Sequence, residues 1–131
     1  HIKRAISPVS VADNTAQTGE VVDLQGYDAC TFVIATGSLG DADATFAVEV
    51  QECDTSGGSY TAVADANLVG TEALAGFIFS DDNKCFKVGY VGSKRYVKLV
   101  ITPSGNASAA LIAAVAVLGH PAKSPTANPP A

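Results

Sequence analysis

The chain is predicted to be all-β, an antiparallel β-sandwich or jelly-roll-like barrel of about eight short strands. Three observations predict this. Apolar and polar residues alternate with period two over 45–52, 86–91 and 95–102, as in strands with one buried face. Clusters of Gly, Asp, Ser and Asn punctuate these runs at short intervals. The apolar residues are mostly Ala and Val, with no Trp, no Met, five Phe and four Tyr, which suits thin, closely packed sheets. No long amphipathic helix competes with this reading.

Residues 1–19 read as an N-terminal arm. Ile2–Ile6 has strand character, but Pro8 and the polar stretch 13–19 suit an extended connector. A short strand at 20–24 ends in the Gln25-Gly26 turn, and Cys30–Ala35 is a strong strand with 37–40 as its exit loop. In 45–52, Phe46, Val48 and Val50 face one way and Ala47, Glu49 and Gln51 the other. The loop 54–59 leads to a return strand at 60–64, a short helical turn fits within 65–75, and Phe77–Phe79 is a brief strand. Ser80–Asn83 is a turn. Beyond it Phe86, Val88 and Tyr90 share one face, and after Gly92-Ser93 so do Val97, Leu99 and Ile101. Residues 103–106 form the next turn. Ala110–Leu118 is apolar at every position, as for a central strand covered on both sides, with Gly119 as its end. Residues 120–131 form a proline-rich tail unable to pair in a sheet. The expected organisation is thus an arm (1–19), a β-sandwich domain (20–119) and a tail (120–131).

A chain of 131 residues is expected to make one domain and to bury roughly two thirds of its unfolded surface without help from disulfides or metal. The net charge of −5 speaks against a generic nucleic-acid binder. No apolar run approaches the roughly 20 residues that span a bilayer as a helix, so neither nucleic acid nor membrane is expected as a partner. The charges are sorted along the chain. All 13 acids lie between Asp13 and Asp82, whereas six of the eight bases lie beyond residue 83. Two outcomes follow from this sorting: separate charged regions that steer copies together, or strands that interleave and mix the signs on one surface.

Little in the sequence can carry catalysis. The two histidines, His1 and His120, sit at the first residue and at the start of the tail, so no acid–base pair or nucleophile–base pair is expected and the chain is read as a non-enzyme. No nucleotide-binding or zinc-protease motif occurs, and 89–94 has the wrong spacing for a phosphate loop, so no cofactor is expected. Cys30, Cys53 and Cys85 lack C-x-x-C spacing, and Cys30 and Cys85 are expected to be buried, in keeping with a reducing cytoplasm. The first residues lack the apolar segment of a secretory leader. Asp41/Asp43 and Asp81/Asp82 read as turn residues and do not match a calcium loop, and no metal is expected. Asn106-Ala107-Ser108 fits the glycosylation sequon and reads as a polar loop. With no Trp, and Phe32, Phe46 and Phe86 facing inward, a carbohydrate platform is disfavoured. The best contact candidate is Lys94, Arg95, Tyr96 and Lys98, since Arg and Tyr anchor interfaces; the competing reading is a strand edge blunted by lysine. His120, Pro121, Pro125 and Pro129 of the tail are the second candidate, as an extended segment laid on a neighbour.

The run Gly89–Thr102, together with Asp41–Phe46 upstream and Val117–Pro121 downstream, resembles small structural proteins of tailed-bacteriophage heads, of the decoration (capsid cement) type. The resemblance spans nearly the whole chain and carries no catalytic residues. It implies a virion protein on the capsid exterior, made in the host cytoplasm, with the major capsid protein and copies of itself, as a trimer or other small homo-oligomer, for partners. A ring-forming tail, neck or tail-tube component and an adhesion or ligand-binding β-sandwich are the alternatives.

Overall fold

The computed structural model describes residues 1–128. Among these residues there are eleven strands: β1 (Ile2–Val11), β2 (Gln17–Thr18), β3 (Val22–Asp23), β4 (Tyr27–Leu39), β5 (Thr45–Cys53), β6 (Thr61–Ala62), β7 (Leu68–Val69), β8 (Phe77–Ile78), β9 (Cys85–Tyr90), β10 (Tyr96–Ser104) and β11 (Ala110–Pro121). The expected helical turn is there as a 3₁₀ turn at Asp65–Asn67 and a one-turn helix, α1 (Glu72–Ala75), with Thr71 as N-cap. Two antiparallel sheets face each other. One runs β1-β11-β4-β9-β7; the other runs β2-β10-β5-β6, with β3 added to β10 and β8 to β5. The all-β antiparallel sandwich expected from the sequence is the observed fold.

The interlayer is built from every second residue. Phe32 and Ile34 of β4, Val50 of β5, Val88 of β9, Leu99 and Ile101 of β10, and Leu118 of β11 are all sealed from solvent. The largest side chains tie the layers together. Phe46 of one sheet stacks on Phe77 at 4.7 Å, and Phe77 stacks on Phe86 of the other at 5.5 Å. Tyr90 of β9 reaches across and donates its hydroxyl to Glu52 of β5 at 2.6 Å. Burial raises the Tyr90 phenol, and the hydrogen bond to Glu52 adds to the rise, so it stays a neutral donor.

Several elements differ from expectation. The N-terminal segment expected as an arm is an edge strand. Ile2–Val11 pairs along β11, and the register shifts between Arg4 and Ile6 and again between Ile6 and Val9, so Pro8 sits within an irregularity that needs no ladder donor from it. The chain crosses to the second sheet between β1 and β2, and just after β2 the Gly19 N–H bonds to the Leu99 carbonyl at 2.7 Å; a Cβ there would collide with that oxygen. β4 continues through Gly37 to Leu39, and β10 through Pro103, where loops were expected. β11 runs past Gly119, with Pro121 in register with Tyr27, so the first two residues of the expected tail belong to the sheet.

Loop ends are held by side-chain clamps. Asn106 is buried, and its amide donates to the carbonyls of Val11 at 3.0 Å and Asp13 at 3.1 Å. The sequon asparagine is therefore a clamp between loops and not an exposed loop residue. Asp41 accepts backbone N–H bonds from Asp43 and Ala107, and Asp82 accepts one from Leu39. Those carboxylates fix turns, as the sequence suggested.

Three substitutions test this packing. Leu99→Ala empties a sealed site and is expected to cost about 2–5 kcal/mol of unfolding free energy in a urea titration. Asn106→Ala leaves the buried Val11 carbonyl and the partly buried Asp13 carbonyl without their donor and is expected to cost about 1–3 kcal/mol. Leu111→Ala, on the outer face, is expected to change stability by less than ~0.5 kcal/mol.

Candidate interaction surfaces

The expected basic patch is assembled at one end of the sandwich, but most of its charge is already neutralised within the chain. Gly92 and Ser93 turn the chain from β9 into β10, and the Lys94 N–H bonds to the Tyr90 hydroxyl at 3.0 Å, which anchors the turn to the core. Lys94 pairs with Asp54. Arg95 grips Asp23 with two parallel bonds, Nε to Oδ1 at 2.9 Å and a terminal nitrogen to Oδ2 at 2.8 Å. The Arg95 guanidinium also lies 4.9 Å from the Tyr96 ring centre, and the Lys98 ammonium 4.4 Å from that of Tyr60. The Arg95 hydrogen bonds hold the Asp23 carboxyl below its ordinary value, and burial opposes them. The bond from Asp54 raises Lys94, and that from Asp23 raises Arg95.

Four ion pairs occur among the described residues: Arg4–Glu20, Lys84–Asp81, Lys94–Asp54 and Arg95–Asp23. The last three join the acid-rich first part of the chain to the base-rich second part. The two signs therefore mix on one surface, because antiparallel pairing brings β3 beside β10 and sets β5 on its other edge. The tail candidates lie at the same end. A cleft of about 300 Å³ is lined by Tyr27, Tyr90, Lys94 and Arg95, and a groove of about 390 Å³ beside it by Gly26, Tyr27, Lys123 and Pro125. His120 has a left-handed backbone (φ 49°), and the Ala122 N–H bonds to the Gly26 carbonyl, so the start of the tail folds back onto its own domain. Pro129 lies outside the described residues.

Sequence reasoning missed the most distinctive surface. The outer face of the β1-β11-β4-β9-β7 sheet is apolar. β11 presents Leu111, Val115 and Val117 on it, between 39% and 46% exposed, so the strand expected to be covered on both sides is covered on one. β4 adds Thr31, Val33 and Ala35, and Val69 of β7 lies at the far side. Cys85 also lies here, exposed, contrary to expectation. Phe86, Val88 and Tyr90 point inward, so strict alternation turns Cys85 and Lys87 outward. That alternation was the signal available in the sequence. Cys30 is buried, and burial pushes its thiol up to about 12. Among the described residues no group of three or more His, Cys, Asp or Glu is placed to hold a metal.

No family model matches the chain, and no curated protein matches it. Among solved structures it is similar to the crystal structure of PBSX exported protein XepA, with a TM-score of 0.62 and 13% identity. The match covers 98% of this chain and 40% of XepA, so the chain spans less than half the length of that protein. At this identity the likeness establishes a shared β-sandwich fold.

Two measurements test these placements. A thiol reagent added to the native protein should modify Cys85 fast and Cys53 more slowly, with Cys30 reacting only on unfolding, as read by mass spectrometry. Asp23→Asn should lower stability near neutral pH. Because folding depresses the Asp23 pKa, the pair's contribution is present above the ordinary carboxylate range and is lost on acidification through the lowered value. The gap between wild type and variant should therefore close in acid.

Proposed function

We propose that this protein is a non-enzymatic structural component of a tailed-phage particle, and that it decorates the head by binding the major capsid protein from outside. Two lines of support meet. The residue pattern at 89–102 resembles head decoration proteins, and the fold is shared along essentially the whole chain with an exported protein of phage PBSX. The second supports the phage-related part of the reading independently of residue identity, and the decoration role rests on the residue pattern. The architecture suits such a role. Two long strands, β4 with 13 residues and β11 with 12, run side by side as a stiff plate, and loop ends are locked by Asn106, Asp41 and Asp82. In this reading the protein folds in the host cytoplasm and joins the capsid surface with copies of itself.

The neutralised Lys94–Arg95 patch changes the expected mode of attachment. Exposed ion pairs satisfied within the chain contribute little to docking. Apolar burial, and the Tyr60, Tyr96 and Lys98 surface of β10, are the better candidates for contact. XepA is an exported protein, which favours a second reading, a phage-encoded adhesion or ligand-binding module that works outside the cell.

The test is co-sedimentation of the purified protein with phage heads lacking their decoration, alongside isolated tails and host cells. Saturable binding to heads is expected. Binding to tails or to cells, with heads ignored, would overturn the decoration assignment.

A further inference from the structure

We propose that the outer face of the β1-β11-β4-β9-β7 sheet is a two-fold interface between two copies of this chain. This inference rests on the reading of the protein as a self-associating structural component, and not on where in a particle it sits. The face is a pleated surface of short apolar side chains. Thr31, Val33 and Ala35 of β4 and Ala113, Val115 and Val117 of β11 lie in adjacent rows set by the register Val117↔Thr31, Val115↔Val33, Ala113↔Ala35. Small side chains of this kind form the inner faces of stacked sheets, which approach to about 10 Å. Here one such surface is left without a second layer from its own chain, whereas the opposite outer face carries Glu49, Gln51 and Lys98 on β5 and β10.

The size fits a partner. Four strands about 4.8 Å apart, over six or seven residues rising about 3.4 Å each, project to roughly 400–450 Å², and the two residues of β7 add little. That is within the range for the largest apolar patch of a monomer, about 300–600 Å², patches that are often functional. With the corrugation of the side chains and a rim added, it approaches the roughly 800 Å² per partner of a stable pair.

Charge selects a second copy as the occupant. One register row crosses the face as Arg4, Val115, Val33, Lys87. At one rim Arg4 is bonded to Glu20 at 3.0 Å. At the other rim Lys87 is exposed and has no carboxylate partner among the described residues. The strand order β1-β11-β4-β9 puts these rims one strand outside the central pair on either side. A two-fold axis parallel to the strands, lying above the outer face midway between β11 and β4, lays this row over its own reverse. Val115 then meets the other copy's Val33, and Lys87 comes over the other copy's Arg4 with Glu20 as the one carboxylate between the two cations, a contact that fixes register and adds little strength. Such an isologous contact is closed and buries both copies of the face at once.

The experiment is sedimentation velocity of the whole chain across a concentration series. Wild type is expected to dimerise. Val115→Asp, which sets a carboxylate against the centre of the apolar contact, should weaken self-association by roughly a hundredfold or more while thermal unfolding of the monomer stays cooperative. Glu20→Lys alone should weaken it, because each rim then gathers three cations, and adding Lys87→Glu should recover it, because each rim returns to two cations and one anion. A wild type that stays monomeric throughout, or a dimer that survives Val115→Asp, overturns the proposal. A monomer whose head binding is lost in Val115→Asp would assign the face to an unlike partner and overturn the second-copy occupant, while leaving the decoration reading intact. A wild type that dimerises but does not bind heads would do the reverse.

Discussion

The register between β4 and β11 is the constraint on which the rest of the structure depends. It sets Phe32 against Ala116, Ile34 against Ala114 and Cys30 against Leu118, all of them pointing into the sandwich. The same register sends Val33, Val115 and Val117 outward. Because a strand has a side-chain period of two, a slip by one residue would exchange the two faces of this pair. Both faces are apolar, so hydrophobicity alone discriminates weakly between the two registers. Shape supplies the difference. Phe32 and Ile34 are too large for the shallow outer face and need the interlayer, where Leu99 and Ile101 of the second sheet are buried with them in one core.

This register also links the fold to assembly. The inner layer is completed by the chain's own second sheet, through the Phe46–Phe77–Phe86 stack and the Tyr90–Glu52 bond. The outer layer has no such completion among the described residues. A sandwich in which one sheet is amphipathic and the other apolar on both sides carries an incomplete third layer. The proposed two-fold contact supplies it from a second copy. The sorting of charge along the sequence, which suggested steering between copies, is spent in part in stitching β3 and the 53–60 hairpin to the start of β10. Lys87 is left over from that pairing, and it sits on the rim of the apolar face.

Much of the fold was legible in the sequence wherever one face of a strand is polar. β5, β9 and β10 alternate cleanly, and their buried residues were read correctly at Phe46, Val48, Val50, Val88, Tyr90, Val97, Leu99 and Ile101. β11 was not legible in the same way. An Ala- and Val-rich strand is apolar on both sides, whether its outer side is covered by its own chain or by another. β1 and the extension of β4 were hidden by Pro8 and Gly37, which read as breaks. A bulge absorbs the first, and at the second the absent side chain leaves room for Leu111 of the neighbouring strand. The contact candidates were found as residues but not as a site. Arg95 and Asp23 are separated by 72 positions and Lys94 and Asp54 by 40, and only sheet pairing reveals that they neutralise each other.

The central claim is that the outer face of the β1-β11-β4-β9-β7 sheet is covered when the protein works. An electron cryomicroscopy map of the assembled particle, at a resolution where strands separate, tests it most directly. The account predicts density of another polypeptide about 10 Å above Val33 and Val115, related to the first by a local two-fold axis running along the strands. Solvent above those two valines, with the contacts made elsewhere on the domain, would contradict it.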